Sequence, residues 1–134
     1  MRHRWGGGSG RLSLVVFYPL AFTGVCAGEL RALADRAPQW RELDADVLCV
    51  SCDPVTALRA FGDELAAAPT LLSDFWPHGA VARRYGAFDT QLGTAERMSY
   101  VVDRDGVVRW RTHVPRSQAR DAADYAAALA AAGS

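Results

Sequence analysis

The chemically informative stretch of this chain is Pro19-Leu-Ala-Phe-Thr23-Gly-Val-Cys26-Ala-Gly-Glu29-Leu. It sets a cysteine in the first turn of a helix that follows directly from an apolar strand. There, unpaired backbone N–H groups and the positive end of the helix dipole favour the thiolate, and only the thiolate is a nucleophile. Thr23 lies three residues before Cys26, so its hydroxyl falls on the same side of the turn as the sulfur and can hydrogen-bond to it or to what it attacks. Pro19 ends the strand without adding an N–H, and its ring can shield the sulfur from water. Each residue alone has a plainer role: a helical cysteine packs as a small hydrophobe, and a threonine ahead of a helix caps it.

Two other cysteines, Cys49 and Cys52, spell C-x-x-C. Residues three apart on a strand point to opposite faces, so this pair is expected neither to close a disulfide nor to share a metal. Both read as buried core thiols. Cys52, however, falls at the C-terminal end of its strand, on the same sheet edge as Cys26, and is kept as a candidate to trap an oxidised Cys26 as an intramolecular disulfide. Three scattered histidines supply no obvious metal set, and His78 and His113 read as surface residues.

The elements that must position these residues follow from periodicity. Leu12 to Tyr18 is a buried strand stopped by Pro19, followed by a helix from about Gly24 to Ala37 with Leu30, Leu33, Ala34 and Ala37 on one face. Val47 to Ser51 is a second buried strand. Asp53-Pro54 opens a helix, with Asp53 as cap, that runs to about Ala67 and buries Val55, Leu58, Phe61 and Leu65. Thr70 to Ser73 is a short strand, and Pro77 opens a helical segment ending near Gly86. Met98 to Val102 and Val107 to Arg111 form a hairpin across Asp103-Arg-Asp-Gly106, and a last helix spans about Ser117 to Ala132. A βαβ unit, a connecting helix and a closing ββα give an α/β, thioredoxin-like three-layer sandwich with a mixed central sheet; residues 68–96 read as an insertion. Residues 1–10 read as a flexible leader and residues 11–134 as one domain.

The 134 residues suit a single domain, and 50% hydrophobic with 22% charged residues is a globular composition. Fifteen basic residues balance fifteen acidic ones, so no field gathers nucleic acid or an anionic membrane. Lys, Ile and Asn are absent, the mark of a GC-rich genome. Met1-Arg-His-Arg and the apolar Leu12 to Phe22 imitate a secretory signal, but Gly6 to Gly10 separate the two and Pro19 interrupts the second. No stretch spans a bilayer, and an odd number of cysteines suits a reducing, cytoplasmic setting.

Taken together, Pro-x-x-x-Thr-x-x-Cys in its strand-to-helix context resembles the active-site signature of the peroxiredoxins, and in detail their one-cysteine alkyl hydroperoxide reductase E class. Leu71 to Gly79, Tyr85-Gly86, Arg97 to Asp103 and Gly106 to Arg109 are similar to later family blocks. The resemblance implies a thiol-dependent peroxidase acting on hydrogen peroxide, organic hydroperoxides or peroxynitrite. Cys26 would become a sulfenic acid, with Thr23 and the Cys26 N–H aligning the peroxide. Arg97 would stabilise the thiolate and the departing oxygen, and Glu29 would orient Arg97. Trp76 is either a wall of the pocket or an aromatic anchor for the insertion. Arg31 stands where some relatives carry a resolving cysteine, and none follows residue 52. Regeneration therefore falls to an external thiol: mycothiol with a mycoredoxin, or thioredoxin. No metal or organic cofactor is implied, and a homodimer is the assembly expected. The family's N-terminal β-hairpin is missing ahead of Leu12, where a Gly-rich decapeptide stands. Two alternatives stay open: a truncated, non-catalytic paralogue serving as redox sensor or interaction module, and a thiol-disulfide oxidoreductase, against which Cys26-Ala-Gly-Glu29 lacks the second cysteine.

Overall fold

The first strand, β1 (Leu12–Phe17), is buried along its whole length, as a sequence apolar but for Ser13 favours. A computed structural model describes residues 10–22, 24–65 and 68–133; of the leader expected over residues 1–10, only Gly10 falls among them. After β1 come α1 (Gly24–Asp35), α2 (Ala37–Glu42), β2 (Ala45–Ser51), α3 (Val55–Asp63), β3 (Thr70–Ser73) and α4 (Ala80–Arg84). The chain continues through β4 (Phe88–Asp89), β5 (Thr94–Ala95), β6 (Arg97–Val102), β7 (Val108–Val114) and α5 (Ala122–Gly133). The main sheet has the order β3-β2-β1-β6-β7, with β1, β2 and β3 parallel and β6 and β7 antiparallel to their neighbours. It is the mixed sheet of a thioredoxin-like fold.

Alternation along β1 sorts the core into two halves. Leu12, Leu14, Val16 and Tyr18 pack against side chains of α1, α2, α3 and α5. Val15 and Phe17 face α4 and the small β4–β5 ribbon. At the edge, β7 reads Val-Arg-Trp-Arg-Thr-His-Val and is half-buried at every second residue, the pattern of a strand with one covered face.

Several boundaries differ from the sequence-based expectation. The first helix ends at Asp35, and Pro38 sits in the first turn of a second helix that the sequence reading omitted. Proline is at home there because its missing N–H has no intrahelical partner to lose. Trp40 on that helix donates its ring N–H to the Leu33 carbonyl at 2.8 Å, which ties the two helices together. Thr70–Ser73 pairs in parallel with β2 and so belongs to the main sheet, not to an insertion. Asp53 does not cap α3. Pro54 holds that position with no side-chain cap, the helix ends at Asp63, and Val55 is 57% exposed rather than buried. Pro77 lies ahead of α4, whose first N–H groups are satisfied by the carboxylate of Asp74, reaching Val81 N at 3.0 Å and Ala82 N at 2.9 Å. The last helix begins at Ala122, five residues later than expected, because Asp121 caps it by accepting the Ala123 N–H at 2.9 Å. No helix among the described residues is long and apolar enough to cross a membrane.

Candidate active site

Cys26 is the third residue of α1 and is wholly buried against the core that holds Tyr18, Cys49 and Phe61. The buried Pro19 and the exposed Leu20 follow β1, and Phe22 then turns through φ 65° before the helix begins. Thr23 lies outside the described residues. Arg97 opens β6, the strand beside β1, and its register brings it to the end of β1 from which the helix departs: Ser99 pairs with Val16, and Arg97 lies two residues further on.

The Arg97 guanidinium is the link between strand and helix. Its Nη1 donates to Cys26 Sγ at 3.2 Å and to Glu29 Oε1 at 2.7 Å, and its Nε donates to the Arg116 carbonyl at 2.6 Å. Arg120 closes the other side of Glu29: its backbone N–H and Nε reach Oε2 at 2.7 Å each, and its Nη2 reaches Oε1 at 2.8 Å. Arg120 Nη1 also donates to the Met98 carbonyl at 3.0 Å and to Ser99 Oγ at 2.9 Å, and Ser99 Oγ shares a 2.7 Å hydrogen bond with the Tyr125 hydroxyl. Cys26, Glu29, Arg97 and Arg120 are thus brought together in one buried cluster.

Its charge decides what the sulfur does. Burial works against an ionised Glu29, but the hydrogen bonds and charge of Arg120, with the charge of Arg97, hold its carboxyl below the ordinary value. Burial likewise opposes charge on Arg120, yet the hydrogen bonds and charge of Glu29 keep it raised. Desolvation pushes the Tyr125 phenol up to about 12, despite Arg120 and Ser99, and pushes Cys49 up to about 12 against the pull of Arg120. Those groups stay neutral. Two guanidinium groups then face one carboxylate, an excess of one positive charge in a buried site, and one of the two donates to the Cys26 sulfur.

Other candidates lie elsewhere. Cys52 follows β2 on the opposite face of the sheet from Cys26, where Asp74, Arg83 and Ala95 surround it. Burial and the charge of Asp74 push its thiol up to about 11. All three cysteines are free thiols, and the structure does not bring Cys52 to Cys26. Trp76 is 83% exposed and so does not anchor a core. His78 is also exposed, with its ring nitrogen 2.6 Å from the Gly93 carbonyl. Sequence reasoning missed Arg120. The signal was Asp121: read as the cap of the last helix, it leaves Arg120 just outside that helix and free to turn inward.

Residues 7–111 match the AhpC/TSA family. The chain belongs to that family, the peroxiredoxins. It is 42% identical over 118 residues to alkyl hydroperoxide reductase E of Mycobacterium bovis and of Mycobacterium tuberculosis, covering 88% of this chain and 77% of each relative. Alkyl hydroperoxide reductase C of Escherichia coli is 32% identical over 125 residues, 92% of this chain and 67% of its own. Among solved structures, AhpC of Enterococcus faecalis superposes with a TM-score of 0.83 at 29% identity, over 91% of this chain and 74% of that one. Mycobacterium tuberculosis AhpC does so with a TM-score of 0.80 at 27% identity, over 93% and 75%.

Proposed function

We propose that this chain is a thiol-dependent peroxidase whose nucleophile is Cys26, and that residues 11–134 form its single domain. The observation that carries the reading is the Arg97 guanidinium 3.2 Å from a buried Cys26 sulfur, within a cluster that needs one more negative charge. The thiolate attacks the terminal oxygen of a peroxide. An S–O bond forms, the O–O bond breaks with both electrons going to the departing oxygen, and that oxygen takes a proton to leave as water or an alcohol or, from peroxynitrite, leaves within nitrite. Arg97 lies where it can stabilise both the sulfur and the charge developing on the leaving oxygen. Thr23 and the first-turn N–H of Cys26 align the peroxide, Pro19 screens the sulfur from water, and Glu29 fixes Arg97 in place.

Hydrogen peroxide, organic hydroperoxides and peroxynitrite are the substrates we assign. With Cys49 and Cys52 both held as neutral thiols and neither bonded to Cys26, reduction of the sulfenic acid goes to an external thiol. One thiol displaces water to give a mixed disulfide, and a second releases Cys26. Mycothiol with a mycoredoxin, or thioredoxin, in the cytoplasm, are the reductants assigned, and a homodimer is the assembly. Intact mass of the reduced protein after one equivalent of hydrogen peroxide tests the reading. Rapid gain of one oxygen in the wild type but not in Cys26→Ser is the expected result. Equal, slow reaction of both proteins contradicts it.

A further inference from the structure

Asp53 is the acidic residue that the sequence assigns to capping α3, and the structure gives it other work. No side chain caps that helix. Instead Asp53 Oδ2 accepts the Ala21 N–H at 2.8 Å and the Ser51 hydroxyl at 2.7 Å. The Asp53 carbonyl accepts the Ser73 hydroxyl at 2.6 Å, and the Ser51 carbonyl accepts the Asp74 N–H at 2.7 Å. One carboxylate and its neighbours therefore tie together the C-terminal ends of three parallel strands: the loop after β1, the end of β2 and the end of β3.

The loop it holds is the one that carries the reaction. Ala21 lies between Pro19 and Cys26, and Phe22 beside it adopts φ 65°, a left-handed conformation that a bulky residue keeps only when its surroundings over-determine it. Two contacts straddle that residue's strain: the Ala21 N–H on Asp53, and the Phe22 ring on Phe61 of α3 with centroids 5.0 Å apart. The ring is half exposed, so packing alone fixes it weakly. The carboxylate is the directional constraint, and its other hydrogen bond reaches Ser51, which is wholly buried at the end of β2.

We propose that Asp53 is a positioning residue for peroxide reduction. Its carboxylate latches the Pro19-to-Phe22 loop to β2, keeping the loop in the arrangement that seats Cys26 opposite Arg97 and presents the loop to the peroxide. The proposal rests on the peroxidase reading above. It concerns how the site is held, because Asp53 touches neither the sulfur nor Arg97 in any hydrogen bond described.

The test uses the full chain as wild type, Asp53→Ala and Asp53→Asn, with Ser51→Ala as a milder second lesion and Cys26→Ser as control. Three quantities are measured: the single-turnover rate of Cys26 oxidation by hydrogen peroxide, amide hydrogen exchange at Ala21 and Phe22, and the urea midpoint. Asp53→Ala should slow oxidation about 10- to 100-fold, the range in which a nucleophile misplaced by an ångström loses rate, while Ala21 exchange quickens. Asp53→Asn, which keeps an acceptor oxygen for the Ala21 N–H, should recover to within about threefold of wild type. Ser51→Ala should fall between the two. Oxidation at the wild-type rate in Asp53→Ala despite a loosened Ala21 amide overturns the proposal. So does an equal loss in Asp53→Asn and Asp53→Ala, which would assign the effect to charge or packing. If Asp53→Ala fails to fold, the Asn and Ser51→Ala variants carry the same comparison. Absence of any Cys26 oxidation in the wild type defeats the peroxidase reading itself, and with it this role, whereas the exchange data alone report whether the latch exists.

Discussion

Cys26 and Cys49 share a hydrophobic core, and both are 0% exposed, yet of the two only Cys26 has a described guanidinium donor on its sulfur. Cys49 lies in β2 with no hydrogen-bond donor on its sulfur among the described contacts, and desolvation pushes its thiol up to about 12. Cys26 lies in the first turn of a helix with a guanidinium N–H 3.2 Å away, in a cluster carrying a surplus positive charge. Burial alone silences a thiol by making its charged form expensive. Burial beside an under-compensated pair of arginines does the reverse, because the anion is then the group that the site lacks. On the peroxidase reading proposed above, what sets Cys26 apart is the guanidinium at its sulfur and not its exposure.

The harshest way to break the comparison is to remove the hub of the charge network. Arg120→Met leaves Glu29 buried with a single cationic partner, and loss of one member of a buried ion pair costs about 3–5 kcal/mol. Urea unfolding should show that loss, and the surviving folded protein should oxidise Cys26 more slowly because the surplus positive charge of the cluster is gone. Arg97→Met removes the charge that distinguishes the two sulfurs. Its single-turnover rate with hydrogen peroxide should fall by about 10²- to 10³-fold, as when one preorganised donor is taken from a developing anion, bringing Cys26 toward the behaviour of Cys49.

Acid probes Glu29 without mutation, together with Asp103 of the β6–β7 turn, which pairs with Arg109. Glu29 and Asp103 both have carboxyls held below their ordinary values in the folded state, so they bind protons more readily when unfolded. The stability they contribute is complete above the ordinary carboxylate range near pH 4 and is lost as pH falls through their lower folded-state values. The urea midpoint should therefore hold from pH 7 to about 5 and drop below about 4, with a flatter drop in Glu29→Gln. The smallest effect sharpens the contrast from the other side. Cys49→Ala should leave peroxide oxidation of Cys26 within about twofold of wild type while lowering stability by about 1 kcal/mol for the small cavity left.

What the sequence made legible was local. The Pro19–Thr23–Cys26 spacing and the strand-to-helix junction lie within a few residues of one another, and the largely apolar β1 and the Tyr100-Val-Val102 end of β6 announce central strands. Arg97 was reachable because β6 is a strand adjacent to the one bearing the cysteine loop, and the family resemblance pointed to its role. The remainder depended on long-range pairing. Glu29 and Arg120 are 91 residues apart, and their contact turns on where α5 begins, which Asp121 settles and a run of alanines conceals. β3 joins the sheet only through its register with β2, which the four residues Thr-Leu-Leu-Ser cannot reveal. Asp53 before a proline reads locally as a helix cap, and only the fold shows that the loop after β1 competes for its carboxylate and wins. Pro38 reads as a stop when it stands in the first turn of another helix.

The central claim is that one of three buried thiols is set apart by its charge surroundings, and it is tested most directly by asking which sulfur a limiting amount of peroxide oxidises. Reduced protein is mixed at pH 7 with half an equivalent of hydrogen peroxide in the presence of a sulfenic-acid-trapping dione, digested, and the adduct mapped by mass spectrometry. The account predicts the adduct on Cys26 alone, with Cys49 and Cys52 recovered as unmodified thiols. An adduct distributed over the three cysteines, or found on Cys49 or Cys52 ahead of Cys26, would contradict it.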